Sequence, residues 1–232
     1  MGLRDRDYYG GYQPPQRMGV LADAPVTRGL LIANVAVFLL NALLRGGDGW
    51  GSVLDRFGAF TVAQGVFGLQ LWRLITFQFL HANLTHLLFN MYALFTFGPL
   101  VERWWRGRPF LVFYLASGVA GALFYTLLWL APGLLEGTGP TTSLVGASAG
   151  IFGVLIATAI IAPEGRVVLL IPPIPMSMRT YAIAILLFGV LIVVMNGRNA
   201  GGEAGHLGGA LAGFLMMVVP PLRKLIRWAA RS

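Results

Sequence analysis

Long apolar runs separated by short polar and charged segments dominate the pattern of this chain. A helix that crosses a bilayer needs about 20 largely apolar residues, with roughly 17 as the lower limit. The pattern therefore predicts an all-α fold, a polytopic membrane bundle of six transmembrane helices. The predicted spans are residues 29–44, which is short, and then 81–101, 109–130, 144–162, about 180–195, and 204–222.

The segments around these spans divide the chain into a central membrane domain, residues 28–225, and two tails. Residues 1–27 are polar and are predicted to be a disordered tail, and residues 226–232 a short second tail. Residues 59–80 are also apolar and long enough to span, but they contain Arg73 beside Trp72. We predict that 46–80 is a loop on or in the membrane surface, with this pair as its interfacial anchor.

The distribution of positive charge supports six spans and assigns their orientation. With six spans, thirteen of the seventeen basic residues lie on the side of the two termini and four on the other. Making 59–80 a seventh span would move Arg103, Arg106 and Arg108 to the side that carries few basic residues. By the positive-inside rule, the sequence predicts a multi-pass protein of the cell membrane with both termini cytoplasmic.

Composition excludes an ordinary soluble domain. The chain is 56% apolar and 11% charged, with a mean hydropathy of +0.72, whereas soluble domains carry about 25% charged residues. The net charge of +8 would suit nucleic acid, but basic residues between apolar runs suit anionic lipid better. We therefore predict the bilayer as partner and no nucleic acid. The chain has no cysteine, which excludes disulfides and thiolate metal sites.

All three histidines and one serine are predicted to lie at a similar depth. His81 and His86 begin the second span, Ser148 lies near the start of the fourth and His206 near the start of the sixth. These three spans enter from the same side, so each residue is within roughly 10 Å of the outer end of its helix. Ionisable groups inside spans are costly and usually functional. The convergence indicates a site near the outer face.

Ser148 and His206 form a candidate nucleophile and base. A serine hydroxyl needs a base to attack, and histidine is the usual one. Small neighbours such as Gly146 surround the serine, while His206, Gly209 and Gly213 share one helix face at i, i+3 and i+7. That glycine stripe would let the sixth span pack closely on the fourth. Alternatively, both stretches are packing motifs and the serine only bonds a carbonyl.

His86 and Asn90 are candidates for stabilising an oxyanion. They are four residues apart and share a helix face, and acyl transfer needs donors aimed at the developing charge. The alternative is that they hold the helices together by hydrogen bonds. A metal site built from the histidines lacks the His-Glu-x-x-His pattern of zinc proteases, so no metal or cofactor is predicted. Glu203 is placed at the surface end, so we predict a Ser–His dyad without a third member.

Taken together, these residues give the chain a resemblance to the rhomboid intramembrane serine proteases over roughly residues 28–225. The matching pieces are Trp72 and Arg73, His81 with His86 and Asn90, the stretch from Gly146 to Ser148, and His206 with Gly209 and Gly213. The resemblance implies a nucleophilic Ser148 and a basic His206. It also implies His86, Asn90 and the Ser148 amide around the oxyanion, with His81 as a nearby structural or hydrogen-bonding residue.

Two positions depart from the family pattern, since Ala149 follows the serine where glycine is common, and Gly205 precedes the histidine where alanine is common. Both substitutes are small, so only adjusted packing is expected. The resemblance implies cleavage of transmembrane segments of membrane proteins near the outer leaflet, in a compact form like that of the prokaryotic members. The alternatives are a silent relative that binds membrane clients, a small transporter, and a metalloprotease.

Overall fold

The computed structural model describes residues 19–45, 52–168 and 173–231 of the protein. Within these ranges the architecture is a bundle of long helices with one small hairpin. The long helices are α1 (Pro25–Leu43), α2 (Leu84–Trp105), α3 (Arg108–Leu130), α4 (Ser148–Ile161), α5 (Met178–Val194) and α6 (Ala200–Val218), followed by the shorter α7 (Pro220–Ala229). The hairpin pairs β1 (Arg166–Val168) with β2 (Pro175–Ser177) in antiparallel register.

Helices α1 to α6 occupy the positions of the six predicted spans, and the all-α prediction is confirmed. Among the described residues, α1, α2 and α3 are long and apolar enough to cross a membrane. Helices α6 and α7 pass the same test only as a pair, bent by 98° at the break between them, and α4 and α5 are shorter apolar helices. The count of six spans therefore stays a prediction.

The first helix begins earlier than predicted because a buried carboxylate caps it. Glu102 of α2 accepts hydrogen bonds from the backbone N–H of Val26 and Thr27, at 2.8 and 2.7 Å, and from the Thr27 hydroxyl at 2.7 Å. A negative charge at a helix N-terminus satisfies free N–H groups and complements the helix dipole. Residues 25–27 thus belong to α1 and not to the tail, of which residues 1–18 lie outside the described part.

The predicted surface loop 46–80, described from residue 52 onward, folds into short turns and packs against the bundle. A helix over Val53–Gly58 is followed by a π-helical turn over Val62–Phe67 and short helices over Arg73–Thr76 and Phe77–Phe79. Phe60 and Phe77 are fully buried, with ring centroids 6.1 Å apart. The loop is therefore an integral layer of the fold, and its predicted place on or in the membrane surface stays a prediction.

The last helix also differs from the prediction, which ended the sixth span at residue 222 and left 226–232 as a tail. Helix α6 ends at Val218, and two prolines at 220 and 221 start α7 in a new direction, since proline cannot continue the hydrogen bonding of the preceding helix. Arg227 of α7 lies over the rings of Trp104 and Trp105, 5.9 Å from each centroid. Cation–π contact thus anchors residues of the predicted tail to the end of α2.

Candidate active site

Ser148 and His206 face each other across the contact between α4 and α6. The Oγ of Ser148 lies 2.8 Å from the Nε2 of His206, which is hydrogen-bond distance for a nucleophile and its base. The imidazole stacks on the ring of Phe152, with centroids 4.3 Å apart and planes 9° from parallel. Phe152 is four residues after Ser148 and shares its helix face, a spacing through which sequence reasoning could have found it.

Glycines bring the two helices together at the site. A Cβ at Gly209 of α6 would overlap the carbonyl oxygen of Ala149, and one at Gly213 would overlap the backbone of Gly153. Backbone against backbone is the closest approach that two helices can make. The predicted glycine stripe therefore packs on α4 directly beneath His206.

The two departures from the family pattern lie against a third glycine, on α3. A Cβ at Gly121 would stand 2.6 Å from the Cβ of Ala149 and 2.6 Å from the carbonyl oxygen of Gly205. The methyl of Ala149 thus occupies space that Gly121 leaves open. Helix α3 consequently supports both α4 and α6 immediately behind the Ser148–His206 pair.

The segment before Ser148 is extended and turned, not helical as predicted for residues 144–147. Leu144 exchanges backbone hydrogen bonds with Phe60 at 2.7 and 3.1 Å, and Gly146 has φ of +128°, a conformation that favours glycine. Ser148 is therefore the first residue of α4, so its N–H lacks a partner in the preceding helical turn. That N–H is one candidate donor to an oxyanion.

His86 and Asn90 reach the same site from α2. A Cβ at Gly146 would lie 2.8 Å from the Nε2 of His86 and 3.5 Å from the Oγ of Ser148, so the His86 ring lies beside the serine. The side chain of Asn90 is buried, and its Nδ2 has no hydrogen-bond partner among the described residues. His86 thus stands beside the candidate nucleophile, and Asn90 lines the same cavity.

His81 lies behind His86 and away from the cavity. It is buried, and its ring meets that of His86 edge to face with centroids 5.1 Å apart. The helix begins at Leu84, with the Asn83 side chain capping the N–H of His86 at 2.9 Å. The predicted start of the span at residue 81 was therefore three residues too early.

A cavity of about 1290 Å³ opens on these residues. Ser148, His206, His86 and Asn90 are among the residues that line it. Side chains of α2, α5 and β1 also line it, among them Thr96, Phe97, Tyr181, Ile185 and Arg166. Residues of α2, α4, α5 and α6 all contribute to its lining.

Glu203 departs from the sequence expectation. Its Oε2 lies 3.1 Å from the Nδ1 of His206, and the two side chains are 15% and 17% exposed. The predicted placement of this carboxylate at the surface end of the span was wrong, because α6 begins at Ala200 and not at residue 204. The earlier start puts Glu203 on the His206 face, three residues before it.

Trp72 and Arg73 lie in the packed loop, outside the lining of the cavity. The buried Arg73 guanidinium donates to the carbonyls of Ala59 and Arg56, at 2.6 and 2.7 Å, while Trp72 is half exposed and donates to the carbonyl of Phe57 at 3.0 Å. Burial lowers the pKa of Arg73 from its usual value. Both residues hold the loop together and touch none of the candidate catalytic groups.

Comparison with known proteins places these features in a family context. A family model described as the rhomboid domain matches residues 68–220. The chain is 31% identical over 208 residues to Rhomboid protease AarA of Providencia stuartii, which covers 83% of this chain and 71% of that protein. It is 33% identical over 185 residues to Rhomboid protease GluP of Bacillus subtilis (strain 168), covering 76% of this chain and 31% of that protein. The chain thus spans less than a third of the length of GluP.

Proposed function

The chain belongs to the rhomboid family, and from this membership we propose that it is an intramembrane serine endopeptidase. It is a multi-pass membrane protein with an all-α fold. The observation that carries the proposal is the hydrogen-bond distance of 2.8 Å between Ser148 Oγ and His206 Nε2, in the wall of a cavity of about 1290 Å³. Two relatives that are named rhomboid proteases support the same reading.

The proposed chemistry is acyl transfer from a peptide bond. Ser148 Oγ attacks the carbonyl carbon while His206 Nε2 takes the hydroxyl proton, and the carbonyl electron pair moves onto oxygen. The Ser148 N–H, Asn90 and His86 supply donors to that oxyanion. His206 then gives its proton to the leaving amine, and water hydrolyses the acyl-enzyme by the same route in reverse.

The proposed substrate is a transmembrane segment that enters between α2 and α5. The cavity runs between these helices, which meet through the rings of Phe97 and Tyr181 at 6.3 Å. A helical peptide bond is shielded by its own hydrogen bonding, so the segment must unwind locally before Ser148 reaches it. The glycine-rich approach of α6 to α4 favours small residues at the cut.

We further propose that cleavage takes place near the outer leaflet of the cell membrane, with both termini cytoplasmic. Arg227 of α7 packs on Trp104 and Trp105, so the basic residues of α7 gather at the same end of the bundle as Arg103, Arg106 and Arg108. Such a cluster favours the cytoplasmic side. Ser148 is the first residue of α4, which begins at the end of the bundle opposite this basic cluster.

A fluorophosphonate probe tests the proposed function. The purified protein in lipid bilayers is expected to react at Ser148, identified by peptide mass spectrometry, and to cut a transmembrane substrate in the same preparation. Ser143 lines the same cavity and serves as an internal control that stays unlabelled. A folded protein that neither reacts at Ser148 nor cuts would refute the proposal and point to a silent relative that binds membrane clients.

Asn90→Ala is expected to lower kcat by about 10²-fold, with little change in KM, because removal of one oxyanion donor costs roughly 10²–10³ in rate. Steady-state cleavage in proteoliposomes provides the measurement. Asn34→Ala is the matched control, since Asn34 is a buried asparagine of α1 that does not line the cavity. Equal rates for Asn90→Ala and the unaltered protein would remove Asn90 from the oxyanion site.

A further inference from the structure

Glu203 stands on the side of the imidazole opposite Ser148. Its Oε2 is 3.1 Å from Nδ1 of His206, while Nε2 of the same ring is 2.8 Å from the serine oxygen. The three groups therefore form a continuous line of hydrogen bonds from carboxylate to hydroxyl. A carboxylate accepts hydrogen bonds and cannot donate one. The hydrogen of this bond is therefore carried by Nδ1 of His206.

The surroundings of the carboxylate keep it in place. Glu203 lies in the first turn of α6, where the helix dipole stabilises negative charge. Gly189 of α5 lies over it, and a Cβ there would come within 3.2 Å of Oε2. Within the described part of the chain, His206 is the one basic side chain with a nitrogen within 4.0 Å of this carboxylate. These contacts thus hold the carboxylate beside the imidazole.

Resting on the proposed function, we infer that Glu203 is a positioning residue that makes the pair a Ser–His–Glu triad. Its bond to Nδ1–H holds the neutral imidazole in the tautomer whose Nε2 lone pair faces Ser148. When the Ser148 proton moves to Nε2, the ring becomes cationic and the carboxylate stabilises it. The Nδ1 proton stays on the ring throughout, and the Nε2 proton leaves with the amine, so the proton balance is that of the two-residue mechanism.

Glu203→Gln removes the negative charge of the side chain and keeps its shape. The amide oxygen still accepts from Nδ1, but the negative charge opposite the imidazolium is lost. We expect kcat to fall at least about tenfold with KM nearly unchanged, because the effect is confined to the transition state. Glu203→Ala should lose more, and Glu203→Asp should regain part of the loss. Glu136→Gln, at an exposed carboxylate of the loop after α3, is the control and should match the unaltered protein.

The ¹⁵N spectrum of His206 gives a readout that does not depend on turnover. With ¹⁵N-histidine in bilayers, the signals missing in His206→Ala identify the ring. The unaltered protein should show a protonated Nδ1 and a bare Nε2, and Glu203→Ala should show a mixture of tautomers. A Glu203→Ala protein that folds with the same tautomer, or an unchanged kcat in all three variants, would overturn the inference.

Failure of the proposed function would look different from failure of this inference. An inert protein whose His206 tautomer still depends on Glu203 would refute the protease assignment and leave the pairing intact. An active protease whose kcat and His206 tautomer do not change in the Glu203 variants would support the protease assignment and refute the inference about Glu203. Thermal unfolding of each variant, expected within a few degrees of the unaltered protein for Glu203→Gln, shows that lost activity is not lost structure.

Discussion

His206→Ala is expected to lower kcat for cleavage of a transmembrane substrate by about 10⁴-fold or more, to the level of Ser148→Ala. The physical reason is the hydrogen bond of 2.8 Å between the two side chains, since the hydroxyl cannot attack effectively without a base to take its proton. The fluorophosphonate reaction should disappear together with cleavage. Single-turnover cleavage in proteoliposomes measures the chemical step without a contribution from product release.

The double variant Ser148→Ala, His206→Ala supplies the sharper result. Residues that act as a unit are strongly non-additive, so we expect the double variant to be no slower than either single one. Losses that multiplied would mean that the two residues act independently and would contradict the shared mechanism. Ser143→Ala, at another serine of the same cavity, should retain full activity and thereby exclude a general effect of altering the cavity wall.

The six long helices could be predicted from the sequence because an apolar run of bilayer length is a local property. The residues at which α2, α4 and α6 begin could not be predicted in this way. Leu144 pairs with Phe60, more than 80 residues away, and Gly146 takes a positive φ. Both features depend on the fold of the loop after α1, for which hydropathy offered only a membrane-surface placement. Tertiary contacts thus decide that α4 begins at Ser148.

The candidate site shows the same division between local and long-range information. Equal depth in three spans predicted that Ser148, His206, His86 and Asn90 would converge, and the structure brings these four to one cavity. Glu203 was set aside because the predicted sixth span begins at residue 204, which leaves this carboxylate at the edge of the apolar run. The chain enters α6 at Ala200 after a left-handed Asn199. Hydropathy does not show where a helix begins when turn geometry decides the start.

Gly209→Ala is expected to have the second largest effect, although residue 209 has no side chain and performs no chemistry. The added Cβ would overlap the carbonyl oxygen of Ala149, so α6 must move away from α4 and carry His206 with it. A shift of about 1 Å at a reacting pair costs on the order of 10²-fold in rate. Overpacking of this kind also lowers the free energy of unfolding by about 1–3 kcal/mol. Cleavage and thermal unfolding should both be measured.

Two comparisons separate loss of position from general helix damage. Gly29→Ala makes the same change in α1, where a Cβ meets nothing within 4 Å, and should leave cleavage and stability unchanged or slightly improved, because alanine favours helix. Ala149→Gly should not rescue Gly209→Ala, since the overlapping atoms of residue 149 are backbone and remain. Restored cleavage in that double variant would show that the Ala149 side chain sets the spacing. Without rescue, the distance from Ser148 to His206 is set by the contact of two helix backbones.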